Sequence, residues 1–350
     1  MILNKKKYVY IVLSLVAIFV LFHALVWISL TGNLFKNSKE TGDLGRLSYK
    51  VDMLFPRKNI VDLPVKHIRF KDFEEIDVLT IGDSVSNGLS RGKNSFYQDY
   101  IASNNNFKVM NISPFPEGYI ETIVLLYNSG ALDKLKPKII LLESVERNAI
   151  QRLSKEIDWN IIKSSNKIKS YLVKDYYDLI PDPLFINKLN YNALIYNILY
   201  NFDDNAYFSK TYTADLSKDL FTGSNPRKLL FYYEDLENKK LANQESITSL
   251  NSNLNKLQGI LDKKNIKLYF MPAADKSNVY EKYIVNNKYE ISTFFELLRE
   301  MPKKYTFIDT KKVLKDLVDK GIEDVYYIDD SHWSYKGSEA IFLRYINIEN

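Results

Sequence analysis

Ile76-Asp77-Val78-Leu79-Thr80-Ile81-Gly82-Asp83-Ser84 is the stretch that decides the fold. Its apolar run is short, contains β-branched residues and stops at a glycine, which reads as a buried strand rather than a helix. A helical stretch follows Ser84, and the same exchange recurs along the chain. The runs 107–112, 138–142, 266–271 and 305–308 read as strands, with helices from about 119, after 142, over about 246–263, over 311–320 and after Trp333. Strands that alternate with helices predict a parallel sheet covered on both faces. Five such strands make an α/β domain, a flavodoxin-like sandwich of three α/β/α layers.

Before this domain, Lys5-Lys6-Lys7 precedes an apolar run from Tyr8 to about Thr31 that contains no Asp, Glu, Lys or Arg. A helix of roughly 20 apolar residues spans a bilayer core. The run exceeds the roughly 7–15 residues of a cleaved signal peptide, and Trp27-Ile28-Ser29-Leu30 makes a poor cleavage site. The expectation is a cytoplasmic tail over 1–7, a transmembrane anchor over 8–31 and everything after it outside the cell membrane, by the positive-inside rule. Residues 32–74, mixed and polar with Pro56 and Pro64, read as a stalk leading into a domain over 75–350. Between about 150 and 241 the strand–helix rhythm is lost, and tyrosines crowd the segment, Tyr171, Tyr176, Tyr177, Tyr191 and Tyr232 among them. It reads as a helical insertion or lid.

Composition closes off several classes. With 46% hydrophobic residues in 350, the chain has ample material for a buried core. The formal charge of +5 includes the three N-terminal lysines and leaves no basic stripe for a nucleic-acid partner. The absence of cysteine excludes disulfides, thiolate metal sites and thiol nucleophiles. Nothing in the pattern calls for a metal or an organic cofactor.

The chain has three histidines. His23 lies in the apolar run and His67 in a basic stretch before the first strand, whereas His332 closes Asp329-Asp330-Ser331-His332-Trp333. A serine hydroxyl becomes nucleophilic when an imidazole takes its proton, and the imidazole needs a carboxylate to fix its tautomer. Ser84 sits where a strand gives way to a helix, at the end of the sheet where α/β folds bind ligands. Serine also caps helices in that position, and an Asp-x-x-His run can be an ordinary turn. Either Asp329 or Asp330 could serve as the acid.

Ile81-Gly82-Asp83-Ser84 and Asp329-Asp330-Ser331-His332 resemble the first and last blocks of the SGNH hydrolase superfamily of serine esterases and acyltransferases. Within it, Asp330-Ser331-His332-Trp333, Pro272-Ala273-Ala274-Asp275-Lys276 with Tyr280, and Glu143-Ser144-Val145-Glu146-Arg147 resemble motifs of the membrane-anchored branch. That branch includes alginate O-acetylation proteins and cell-wall polysaccharide O-acetyltransferases. The resemblance implies an O-acyltransferase with Ser84 and His332 at its centre, a polysaccharide acceptor, and a multi-pass membrane O-acyltransferase as the partner that delivers the acyl group. It further implies an oxyanion site built from the Ser84 and Gly118 backbones, and substrate contacts from Lys276 and Tyr280. For the acid it offers two spacings, the Asp-x-x-His usual in serine-first members, which favours Asp329, and the Asp-x-His-Trp of the alginate proteins, which fits Asp330. Typical members carry Gly-x-Asn-Asp after the third strand; this chain has Glu146-Arg147-Asn148 there, which makes Arg147 and Asn148 candidates for substrate or oxyanion contact. An SGNH esterase, a protein like the SGNH member of teichoic-acid D-alanylation, and an inactive glycan-binding assembly subunit are the alternatives.

Overall fold

Apolar runs of four to seven residues, spaced by amphipathic helices, assemble into one parallel sheet. The computed structural model describes residues 5–32, 34, 41–55, 59, 61–174, 185–186, 189–290 and 292–345. Tyr176, Tyr177, Pro56 and residues 1–4 of the expected tail lie outside the described residues. The strands are β1 (Ile68–Arg69), β2 (Val78–Ile81), β3 (Val109–Ile112), β4 (Ile139–Val145), β5 (Thr211–Asp215), β6 (Lys228–Tyr232), β7 (Lys267–Ala273) and β8 (Thr306–Phe307).

Six of them form a sheet in the order β1-β3-β2-β4-β7-β8, with every pairing parallel. The five strands expected from sequence therefore lie in the order 2-1-3-4-5, a doubly wound arrangement whose switch point falls between β2 and β4. Every residue of β2, β3 and β4 is buried, so both faces of the central sheet are covered. Helices Tyr97–Asn105, Gln244–Leu261 and Thr310–Asp319 pack against the strands.

Three features depart from the expectation. The sixth strand, β1, lies in the stretch read as stalk and pairs Ile68 and Arg69 with Met110 and Asn111. Two half-buried residues carry too little pattern to announce a strand. The same stretch contributes residues 41–55, which are docked on the domain rather than spanning open space: Gly42 N–H donates to the Asp329 carboxylate at 2.9 Å and Gly45 N–H to the Asp329 carbonyl at 2.9 Å. The segment read as a helical insertion holds helices Ser165–Leu172 and Leu189–Leu199 but also β5 and β6, an antiparallel pair.

Lys5–Val26 is a single α-helix that continues through a π-helical turn at Trp27–Thr31. Lys5–Thr31 runs for 27 residues and contains an 18-residue stretch with a mean hydropathy of 2.8, long and apolar enough to cross a membrane.

Gly82 ends β2 at a place where a Cβ would lie 2.1 Å from Ser86 Oγ and 2.2 Å from Glu143 Oε2. Gly259, within the helix Gln244–Leu261, has nothing within 4 Å of the same atom. Gly82→Ala should lower stability by about 1–3 kcal/mol through overpacking, whereas Gly259→Ala should raise it by roughly 0.5–1 kcal/mol through helix propensity. Urea unfolding midpoints of the two variants check this; equal effects would contradict the crowding at Gly82.

Candidate active site

Ser84 follows β2 directly, at the carboxyl end of the sheet beside the switch point. Its turn is clamped by carboxylates on both sides. Asp83 accepts from the Val85 N–H at 3.2 Å and the Val145 N–H at 2.9 Å, and it pairs with the Arg152 guanidinium. The buried Glu143 of β4 accepts from the Asp83 N–H at 2.9 Å and from Ser86 Oγ at 2.8 Å. Burial and the neighbouring Asp83 charge push the Glu143 carboxyl well above its usual range. Burial also opposes ionisation of Asp83, but Arg152 and the Val145 N–H outweigh it and hold Asp83 low. The turn thus favours the negative charge on Asp83 over Glu143, which limits repulsion between them.

His332 comes from the far end of the chain. Its Nε2 lies 2.9 Å from Ser84 Oγ, and its Nδ1 lies 2.6 Å from Asp330 Oδ1. The same carboxylate oxygen accepts the His332 backbone N–H at 3.1 Å, which fixes the carboxylate against its own loop. The three side chains form a continuous Ser–His–Asp chain in which the acid is Asp330.

Asp329, the acid favoured by spacing, does other work. Its side chain accepts the Gly42 N–H at 2.9 Å and the Phe55 N–H at 3.3 Å, so it is a docking point for residues 41–55. In the turn that carries both, Asp330 faces His332 while Asp329 faces residues 41–55.

Residues 41–55 also deliver a group that sequence reading missed. Asp43 accepts from the Ser331 N–H at 2.8 Å and from the Ser331 hydroxyl at 2.5 Å. Burial resists its charge, yet His332 and the Ser331 donors outweigh that cost and hold it at about 2. For His332, burial favours the neutral ring, but Asp330 and then Asp43 prevail and raise its pKa above the ordinary 6.5. Asp43, Asp330 and His332 each offer a ligand atom within 4.8 Å of the others, close enough to hold a cation. In this arrangement those groups are engaged with Ser331 and with one another.

Lys276 and Tyr280, expected at the substrate, lie under the loop that carries Asp330. The buried Lys276 ammonium donates to the carbonyls of Tyr327 at 2.7 Å, Ile328 at 2.9 Å and Asp330 at 3.1 Å. Those three bonds use all its donors. The buried Tyr280 hydroxyl accepts the Tyr326 N–H at 3.3 Å. Both are positioning residues for the histidine loop.

Gly118 is also placed differently from the expectation. Its N–H donates to the Phe115 carbonyl at 3.1 Å, and the residue starts the helix Tyr119–Asn128 with a φ of +142°. Its N–H is therefore spent within the turn. The Ser84 N–H has no acceptor among the described residues and stays available to an oxyanion.

Arg147 pairs with Asp275 at 2.7 Å and Asp235 at 3.4 Å, and its guanidinium lies 5.2 Å from the Tyr232 ring centroid. Its charge reaches His332 and lowers the imidazole pKa, against the stronger pull of Asp330 and Asp43. Glu146 accepts from the Asp275 N–H at 2.9 Å, Asn278 at 2.7 Å and Ser292 at 2.6 Å. Asn148 hydrogen bonds to Asn238 at 3.2 Å, and no hydrogen bond joins it to Ser84 or His332 among the described residues. The Glu146-Arg147-Asn148 run thus ties β4 to the insertion and to the segment after β7.

No protein-family model matches the sequence, and comparison with curated proteins gives no match.

Asp330→Asn should slow labelling of Ser84 by a fluorophosphonate by on the order of 10³–10⁴-fold, the cost of a wrong imidazole tautomer. Asp329→Asn should retain most of that reactivity while losing about 1–3 kcal/mol of stability from weakened buried N–H acceptors. Labelling rates and melting curves of the two variants read this directly, and the reverse ranking would reassign the acid.

Proposed function

We propose that this protein is a membrane-anchored SGNH-type serine O-acyltransferase that acetylates hydroxyls of a cell-surface or secreted polysaccharide. The observation that carries the reading is the chain Ser84 Oγ to His332 Nε2 at 2.9 Å and His332 Nδ1 to Asp330 at 2.6 Å. It stands at the carboxyl end of a parallel sheet in the doubly wound order, where such folds bind ligands. The resemblance of the Ser84 and His332 blocks to the SGNH superfamily supports the class, and the helix Lys5–Thr31 supports an anchor with the domain outside.

The chemistry runs in two halves. His332 accepts the Ser84 hydroxyl proton as Oγ attacks the carbonyl of an acyl donor; the Ser84 N–H stabilises the oxyanion, and the imidazolium returns its proton to the leaving group. The acyl-enzyme then meets a sugar hydroxyl. His332 takes that proton, the sugar oxygen bonds to the acyl carbon, and the Oγ–acyl bond breaks with the proton returned to Ser84. Water in place of the sugar gives hydrolysis by the same steps. The acyl group reaches Ser84 from a multi-pass membrane O-acyltransferase partner in this reading, which suits an enzyme held beside the bilayer. The intact hydrogen-bonded chain weighs against an inactive glycan-binding subunit.

Incubation of the full chain in detergent with an activated acetyl ester, followed by intact-mass spectrometry, tests the reading. Wild type should gain one acetyl mass that oligosaccharide discharges faster than water does, and Ser84→Ala should gain none. Absence of both adduct and ester turnover in wild type would sink the acetyl-enzyme mechanism; discharge by water alone would make the protein an esterase.

A pH profile gives a second check. The working base is neutral His332, so the acid limb of kcat/KM should lie above 6.5, in the direction of its raised pKa. Removing the Asp43 charge removes an interaction that favours the protonated ring. Asp43→Asn should therefore move the limb to lower pH, and a limb that stays put would separate Asp43 from the base.

A further inference from the structure

The helix Leu189–Leu199 is amphipathic in the sense opposite to that of a water-facing helix. Its inner face is polar and aromatic. Asn190 and Ala193 are fully buried, Asn197 donates to the Tyr49 carbonyl at 3.2 Å, and the Tyr200 hydroxyl just beyond the helix donates to the Thr211 carbonyl at 2.8 Å. Its outer face is apolar, with Tyr191, Leu194, Ile195 and Ile198 exposed at i, i+3, i+4 and i+7, and Phe202 73% exposed one turn further on. From Leu189 to Phe202 the sequence has no charged residue.

What the outer face adjoins decides its occupant. The helix packs against the anchor, where Asn190 Nδ2 donates to His23 Nδ1 at 2.7 Å and the Tyr191 hydroxyl lies 3.3 Å from His23 Nε2. The Phe22 and Tyr191 rings are 5.3 Å apart, and Phe185 lies 6.0 Å from Trp27. A bilayer core takes up roughly 20 helical residues. Counted from Tyr8, that depth ends near Trp27, which sets His23 about one helical turn, roughly 5 Å, inside the outer boundary. Interfacial helices bury their apolar faces about 5–10 Å deep. A histidine at such a depth needs polar partners, and Asn190 and Tyr191 supply them.

We infer that the insertion carries a second membrane element: Leu189–Leu199, with Phe202, lies in the outer leaflet against the anchor, its apolar face in contact with lipid. This rests on reading Lys5–Thr31 as a membrane-spanning anchor. At 11 residues the helix is too short to cross the bilayer, so it lies within one leaflet. Two elements from distant parts of the chain then grip the membrane, and together they fix the orientation of the domain above it.

The absence of cysteine makes the test direct, because any introduced thiol is the sole label site. Full-length Ile195→Cys and Ile198→Cys, each carrying an NBD fluorophore, are reconstituted into phosphatidylcholine vesicles with and without brominated acyl chains. Leu13→Cys on the anchor and Lys263→Cys on an exposed turn are the lipid and water references. The expected result is blue-shifted emission and bromine quenching at 195 and 198 matching position 13, with neither at 263. Water-like emission at 195 and 198 beside a quenched position 13 would overturn the inference and leave the anchor standing. Blue-shifted but unquenched labels would mean that protein covers the face, a second copy included, and would also overturn it. An unquenched position 13 would remove the anchor reading itself.

Discussion

One buried ammonium shapes the histidine loop. Lys276 donates to the backbone carbonyls of Tyr327, Ile328 and Asp330. Three carbonyls converging on one point bend the chain inward, and a bend at 327–330 is what turns Asp330 toward the imidazole of His332. A buried ammonium is expensive to desolvate, and the three carbonyl acceptors, with the Phe221 ring 5.1 Å away, offset that cost. Tyr280 beneath Tyr326, and the Tyr326 hydroxyl on the Ala274 carbonyl at 2.6 Å, complete the support from the segment after β7.

Ser84 is held by the opposite device, acceptors rather than donors. Asp83 and Glu143 take up backbone N–H groups on both sides of the β2 and β4 ends, and Arg152 balances the charge. The two halves of the Ser–His pair therefore rest on separate buried polar networks that meet at a single 2.9 Å contact. Pre-organisation of this kind means little has to move when the proton does.

The parallel sheet was legible because its strands are dense apolar runs separated by helices, the pattern that two covered faces impose. Ser84 and His332 were legible because few residue types can perform the proton transfer and the chain offers few histidines. The choice between Asp329 and Asp330 was not, since both spacings permit contact and the outcome depends on Gly42 and Phe55 arriving from a distant segment. Lys276 misleads for a related reason: a lysine after a strand is ordinarily solvated, and only the carbonyls of a loop some fifty residues later make burial tolerable. Asp43 gave no signal, because the polar stretch around it looks like a tether until its contact with Ser331 is known. The β5–β6 pair hides in a tyrosine-rich region whose bias blurs alternation, and β1 is too short to carry a period.

The docking of Asp43 on Ser331 has a consequence for reach. Thr31 ends the long apolar helix, and only a short run of chain separates it from Asp43, which is tied to the residue beside His332. Fully extended, that run covers about 40 Å. In the anchored acyltransferase proposed above, Ser84 is therefore not at the end of a free leash, able to sample distant parts of its surroundings. Under that proposal it stays within roughly that distance of the bilayer, and a large acceptor presents its hydroxyls in the same shell.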